Sequence, residues 1–160
     1  MQLKGMIKMI SNGLYRAKRK ATDEWVVGYY VYCEEKHFII NGKTRNEGWY
    51  EIQIDTLGRY CGIDDVSGHM IFEGDILEHR FYDYFHNLTF VDCYILRFPA
   101  DRLGFVLQSI HCYLDSKQAR KGYKLPREAH EMKIIGNLVD NPDLPSEINK
   151  TGRLREGMQV

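Results

Sequence analysis

Residues 25–32 read Trp-Val-Val-Gly-Tyr-Tyr-Val-Tyr, and this segment constrains the fold more than any other. β-Branched and aromatic side chains lose rotamer freedom against a helix turn but pack well on a pleated surface. Both alternating faces are apolar, as in a strand covered on two sides. A chain organised around such a segment must build a sheet to bury it.

The flanking sequence supplies more strands. Glu34-Glu35-Lys36 is a polar connection, residues 37–40 resume as a short strand, and Asn41-Gly42 predicts a tight turn. Tyr50, Ile52 and Ile54 alternate with Glu51, Gln53 and Asp55, the pattern of a half-buried strand. Residues 89–98 read as a longer strand, and residues 104–107 and 133–139 as further ones. Short strands broken by glycine-rich turns predict a mainly β fold, coiled-sheet or barrel-like, compatible with two packed subdomains. The predicted core takes Trp25, Val27, Tyr29 and Val31 from the first strand. Ile39, Ile52, Ile71, Ile76, Phe90, Ile95, Phe105, Ile134 and Leu138 complete it.

Helix signals are minor. Asp115-Ser116 suits the cap of a short helix through Arg120, ended by Gly122. Residues 79–86 are aromatic and fit helix or strand. Pro142 stops regular pairing, and residues 146–160 are polar without periodicity. The expectation is a β domain over residues 1–145 and a flexible C-terminal tail over residues 146–160.

Composition then limits function. Lys plus Arg equals Asp plus Glu at 22 each, so no global field draws the chain to nucleic acid or to an anionic membrane. No apolar run approaches the roughly 20 residues that span a bilayer, and the N-terminus lacks the pattern of a signal peptide. The expected location is the cytoplasm where the chain is made, with Cys33, Cys61, Cys93 and Cys112 as reduced thiols.

No catalytic constellation is visible. The cysteines form no C-x-x-C pair, and adjacent His111 and Cys112 would point to opposite faces of a strand. No nucleophile elbow or phosphate-binding glycine motif is present. Asp64, Asp65, Glu73 and Asp75 cluster among glycines, where carboxylates serve turns. The chain is expected to be non-enzymatic, with no metal and no cofactor.

Binding chemistry is better represented. Arg16, Lys18, Arg19 and Lys20 form one basic cluster; Lys117, Arg120, Lys121, Lys124 and Arg127 form another. With Tyr15, Trp25 and Tyr123 nearby, they suit phosphate neutralisation and base stacking, the alternative of a nucleic-acid-binding protein. Phe81, Tyr82, Tyr84 and Phe85 form an aromatic run that is an interaction patch if exposed and core if buried, with burial the favoured expectation. Edge strands or this patch would support a homo-oligomer.

Three blocks carry a family resemblance. Tyr15-Arg16-Ala17-Lys18 is followed by Trp25-Val26-Val27-Gly28. A central block runs from Leu57-Gly58-Arg59-Tyr60-Cys61-Gly62 through Asp64-Asp65, Gly68 and Ile71-Phe72 to Glu73-Gly74-Asp75-Ile76. The last joins Ile134-Ile135-Gly136-Asn137-Leu138 to Asp140-Asn141-Pro142-Asp143-Leu144. Together they resemble the YopX protein family in order and spacing, with Cys61 where the family usually has Thr and Phe72 where it has Tyr. Residues 81–127 fall outside the resemblance. It implies a phage or prophage accessory protein and brings no activity with it. Gly58, Gly62, Gly68, Gly74 and Asp75, with Gly136 and Asn137, read as structural turn residues. The expected mode of action is macromolecular interaction, with a protein partner first and nucleic acid as the alternative.

Overall fold

The computed structural model describes residues 8–44, 47–85, 87–101, 103–111, 123–124 and 127–151. The chain divides into two compact units, Met1–Tyr60 and Cys61–Val160. Strands dominate both and pair antiparallel throughout the described residues. Their order runs open from edge to edge, so the barrel-like alternative gives way to open sheets.

The first unit contains β1 (Lys8–Lys18), β2 (Trp25–Cys33), β3 (Lys36–Thr44) and β4 (Glu47–Glu51), with the start of β5 (Gly58–Asp64) along β1. β2 and β3 join through Glu34 and Glu35, whose φ values of 51° and 60° give the left-handed turn matching strand twist. Its core is Ala17, Val26, Tyr30, Ile39 and Ile52, with Tyr15, Tyr50 and Leu57 packed against it. Fully burying a side chain such as Ile39 contributes about 2 kcal/mol. Thr56 closes a 3-10 turn at Ile54–Thr56, where its hydroxyl donates to Gln53 O (2.7 Å) and accepts from Lys18 N (2.8 Å).

Three expectations fail here. Val31 is buried as expected, but over the rest of β2 the core takes Val26, Gly28 and Tyr30, the opposite face from the one predicted; Tyr29 is 49% exposed, and Trp25 and Val27 are half-buried. The cause lies in the partner strands. Val26 faces Ala17 and Tyr30 faces Ile39, whereas Val27 faces Arg16 and Trp25 faces Lys18. Asn41-Gly42 is not the hairpin turn. It lies inside β3, where the register with β4 shifts between Ile40 and Thr44. Gly48 has φ 79°, and the Gly42 N atom would lie 2.2 Å from any Cβ there, so both glycines serve close backbone approach. Ile54 also leaves the predicted strand and is 46% exposed in the 3-10 turn.

The second unit holds the rest of β5, then β6 (Met70–Phe72) beside it. It also holds β7 (Asp75–Asp83), β8 (Leu88–Arg97), β9 (Val106–His111), β10 (Tyr123–Lys124) and β11 (Lys133–Asn137). These last form a five-stranded sheet in the order β10-β9-β8-β7-β11. Ile71, Leu77, Leu96, Leu107, Ala129 and Met132 are its buried core, with Cys61, Ile63, Tyr94, Phe105 and Ile134 packed on it.

The expected tail is partly a helix. Residues Leu144–Thr151 form α1, beside β9. Pro145 stands in its first turn, where its missing N–H costs nothing. Glu147 near the start and Lys150 near the end suit the helix dipole. Residues 152–160 lie outside the described residues, as does the helix expected from Asp115 to Arg120.

Candidate interaction surface

Among the described residues, the sheet of the second unit does not extend along the whole β7–β8 hairpin. Among these residues, β11 pairs with β7 from Asp75 to Glu78, and β9, described as far as His111, pairs with β8 from Cys93 to Arg97. β7 and β8 continue together to the pair Asp83–Leu88. Among the described residues, the hairpin therefore continues as a two-stranded arm beyond those ladders. Phe81 stacks on Phe90, its cross-strand partner, at 5.3 Å, and lies 5.7 Å from His79 on the same face. Such pairs stabilise a ribbon by about 0.5–1 kcal/mol each.

The tip is set by local chemistry. Asp83 accepts from Phe85 N at 2.8 Å, and Asn87 takes the left-handed conformation at φ 54°. Tyr82 donates to Asn87 Oδ1 and meets Tyr84 edge-to-face at 4.8 Å. The turn then displays its largest rings outward: Tyr84 is 86% exposed and Phe85 97%. Burial was the favoured expectation for this run, and the tip reverses it. Only Phe81 of the run is half-buried. The sequence pointed to the rings but not to the supports, Asn87 and Phe90. Asn87 carried a faint signal as a turn-former.

The first basic cluster is engaged within its own unit. The Arg16 guanidinium lies 4.7 Å from the Trp25 ring centroid. Lys18 pairs with Asp23 at 3.1 Å, Arg19 with Glu24 at 3.1 Å, and Lys20 with Glu51 at 2.8 Å. The hydrogen bond from Lys20 outweighs the opposing effect of burial and, with a weaker one from Lys36 and the charges of both lysines, holds the Glu51 carboxyl below the usual range. Arg16 and Lys18 sit across from Val27 and Trp25, while Arg19 lies over the Tyr50 ring at 4.4 Å. The four cations are thus split between two faces. Lys117, Arg120 and Lys121 lie outside the described residues; of Lys124 and Arg127 only the backbone is described, in β10 and in a 3-10 turn.

The turn residues divide by role. Gly62, Gly68 and Gly74 have φ of 88°, 81° and 87°. Gly58 lies within β5 across from Arg16, rather than in a turn. Gly136 lies within β11, where a Cβ would meet Asn141 Oδ1 at 2.7 Å and Leu144 Cδ2 at 2.9 Å. Asp75 is fully buried and accepts from Phe72 N at 2.7 Å across the β6–β7 turn. Asn137 accepts from Val139 N and Asp140 N at the end of β11.

Among the described residues, no three His, Cys, Asp or Glu side chains converge as a metal site would require. Burial pushes the Cys61 and Cys93 thiols up to about 11. At about pH 8 each should react with a soluble disulfide reagent on the order of a hundredfold more slowly than a free cysteine, because the thiolate is the nucleophile. Peptide mass spectrometry of the labelled chain checks this, and labelling of either cysteine at the free rate contradicts it.

The class defined by these features is an antiparallel β protein of open sheets, with exposed aromatic rings at one hairpin tip. A profile of the YopX protein family matches residues 14–145, and the chain belongs to that family. No curated protein matches. Among solved structures, the crystal structure of protein EF1440 from Enterococcus faecalis is similar at 17% identity and a TM-score of 0.41. The match covers 82% of this chain and 96% of that one. No helix among the described residues is long and apolar enough to cross a membrane.

Proposed function

We propose that this chain is a phage or prophage accessory protein, non-enzymatic and cytoplasmic, that binds another protein through the tip of the β7–β8 arm. One observation carries the reading: Tyr84 and Phe85 are 86% and 97% exposed, side by side, at the turn of the β7–β8 hairpin. Leaving two aromatic rings in water forgoes about 2 kcal/mol of burial each, and aromatics anchor interfaces more often than they decorate turns. The competing nucleic-acid reading is weakened at its first cluster, where Lys18, Arg19 and Lys20 already pair with carboxylates of the same chain.

The test is affinity capture from prophage-carrying cells, comparing the native chain with Tyr84→Ser/Phe85→Ser. The expected result is a nuclease-resistant protein partner whose recovery falls at least about tenfold in the variant. A catch that nuclease abolishes, or one that the variant retains in full, rejects the reading.

A further inference from the structure

The turn of the β7–β8 hairpin treats its exposed rings differently. The backbone of Phe85 is fixed, because its N–H donates to the Asp83 carboxylate at 2.8 Å, while its ring is 97% exposed. Tyr84 is 86% exposed, but its ring already meets Tyr82 edge-to-face at 4.8 Å. On the far side of the turn Asn87 holds the left-handed conformation at φ 54° and accepts from the Tyr82 hydroxyl. Tyr82, Asp83 and Asn87 thus clamp the turn, and Phe85 keeps little freedom beyond its own side-chain torsions. A ring presented this way loses less entropy on docking.

We infer that Phe85 is the anchor of the interface, entering an apolar pocket on a folded protein, while Tyr84 lies at the rim of that pocket with its hydroxyl in water. The inference rests on the reading above that the tip binds a protein, and adds which ring enters, what receives it and what positions it. A phenyl ring has no polar atom, so covering it leaves no donor or acceptor unmet. The Tyr84 hydroxyl, once covered, needs a partner. Tyr84 also has one side against Tyr82, so Phe85 is the ring a pocket can enclose.

Charge selects the class of partner. From Phe81 to Leu96 the sequence holds no Lys or Arg, and the acidic residue of the turn is Asp83. Binding to nucleic acid or to an anionic membrane surface draws on cations beside the rings. A tip with a carboxylate and no fixed cation suits neither. A dry pocket on a protein is the surface that gains from Phe85.

The test places the photo-cross-linking residue benzoylphenylalanine in the full chain, in prophage-carrying cells, in place of Phe85, of Tyr84 or of the control Val66. Val66 is 60% exposed and stands outside the hairpin. The expected result is one protein adduct, at least about tenfold stronger from position 85 than from position 66, with apolar residues at its far end. Recovery of that protein by variants then reads the roles. Phe85→Tyr is expected to lower it at least about tenfold by burying a hydroxyl, and Tyr84→Phe by less than about threefold. Asp83→Ala should lower it with the fold intact by circular dichroism. Asp83→Asn should not, because the amide keeps an oxygen that accepts from Phe85 N. An adduct with nucleic acid or lipid overturns the inference, as does one no stronger from 85 than from 66. So does a larger loss from Tyr84→Phe than from Phe85→Tyr, or full recovery by Asp83→Ala. If any of these occurs while Tyr84→Ser/Phe85→Ser still loses the protein, the tip reading stands and the roles given to its residues fall. Full retention by that double variant rejects both.

Discussion

Replacing Gly28 by alanine is expected to destabilise the first unit by about 3 kcal/mol or more. A Cβ at this position would lie 2.3 Å from the Ile40 carbonyl oxygen, 2.8 Å from its carbon and 2.9 Å from Ile39 Cγ2. The first two are backbone atoms of β3, next to the Tyr29–Ile40 and Tyr30–Ile39 pairs. A side chain can rotate away from an intruding methyl group, but a ladder carbonyl moves only if the two strands separate. Separation loosens Tyr30 against Ile39, at the centre of the core of this unit. Both tryptophans, Trp25 and Trp49, belong to the same unit, so the fluorescence midpoint in urea reads the effect directly. Gly62→Ala is the comparison. Its φ is 88°, yet nothing lies within 4 Å of its Cβ position, so only backbone strain of about 1 kcal/mol is expected. A Gly28→Ala midpoint no lower than that of Gly62→Ala contradicts the argument.

Gly28 also shows how much of the fold was legible in the sequence. The existence of β2 followed from residue type alone, since no other structure accommodates that run of Val and Tyr. Its orientation did not. With apolar residues on both faces, the choice rested on whether Arg16 and Lys18 or Ala17 and Ile39 lay alongside, which is a matter of pairing. β1 went unread for the same reason, its charges masking a strand whose partners supply the apolar neighbours. Asn41-Gly42 carried a real demand for unusual backbone, but the demand came from the approach of Gly48 and not from a turn. The first turns of α1 hid because only Leu144 and Ile148 are apolar at helical spacing. For the candidate surface, the aromatic run was visible and its exposure was not. The β11 ladder ends at Glu78, before the run begins, and a linear pattern does not encode where a neighbouring strand ends.

Asp65→Asn is expected to cost about 2–3 kcal/mol near neutral pH, although the change is nearly isosteric. The Asp65 side chain is 1% exposed. Its Oδ1 accepts from Ser67 N at 2.8 Å and His69 N at 2.9 Å, and its Oδ2 accepts from Ile134 N at 3.1 Å. One carboxylate thereby shapes the β5–β6 turn and ties it to β11. An amide cannot copy this. Whichever way it is turned, its NH2 group faces a backbone N–H, and a buried donor loses its acceptor. Burial pushes the Asp65 carboxyl up, but the N–H groups of His69, Ile134 and Ser67, with the nearby His69 imidazole, outweigh it and hold the carboxyl below its usual range. The folded state therefore binds this proton more weakly than the unfolded state does. The stabilisation is complete above the ordinary carboxylate range, about pH 4–5, and is lost as pH falls through the lower folded value. Urea midpoints of the native chain and of Asp65→Asn should differ widely at about pH 7 and converge towards about pH 3. Equal differences at both pH values would mean that the carboxyl's shape, and not its charge, holds the turn.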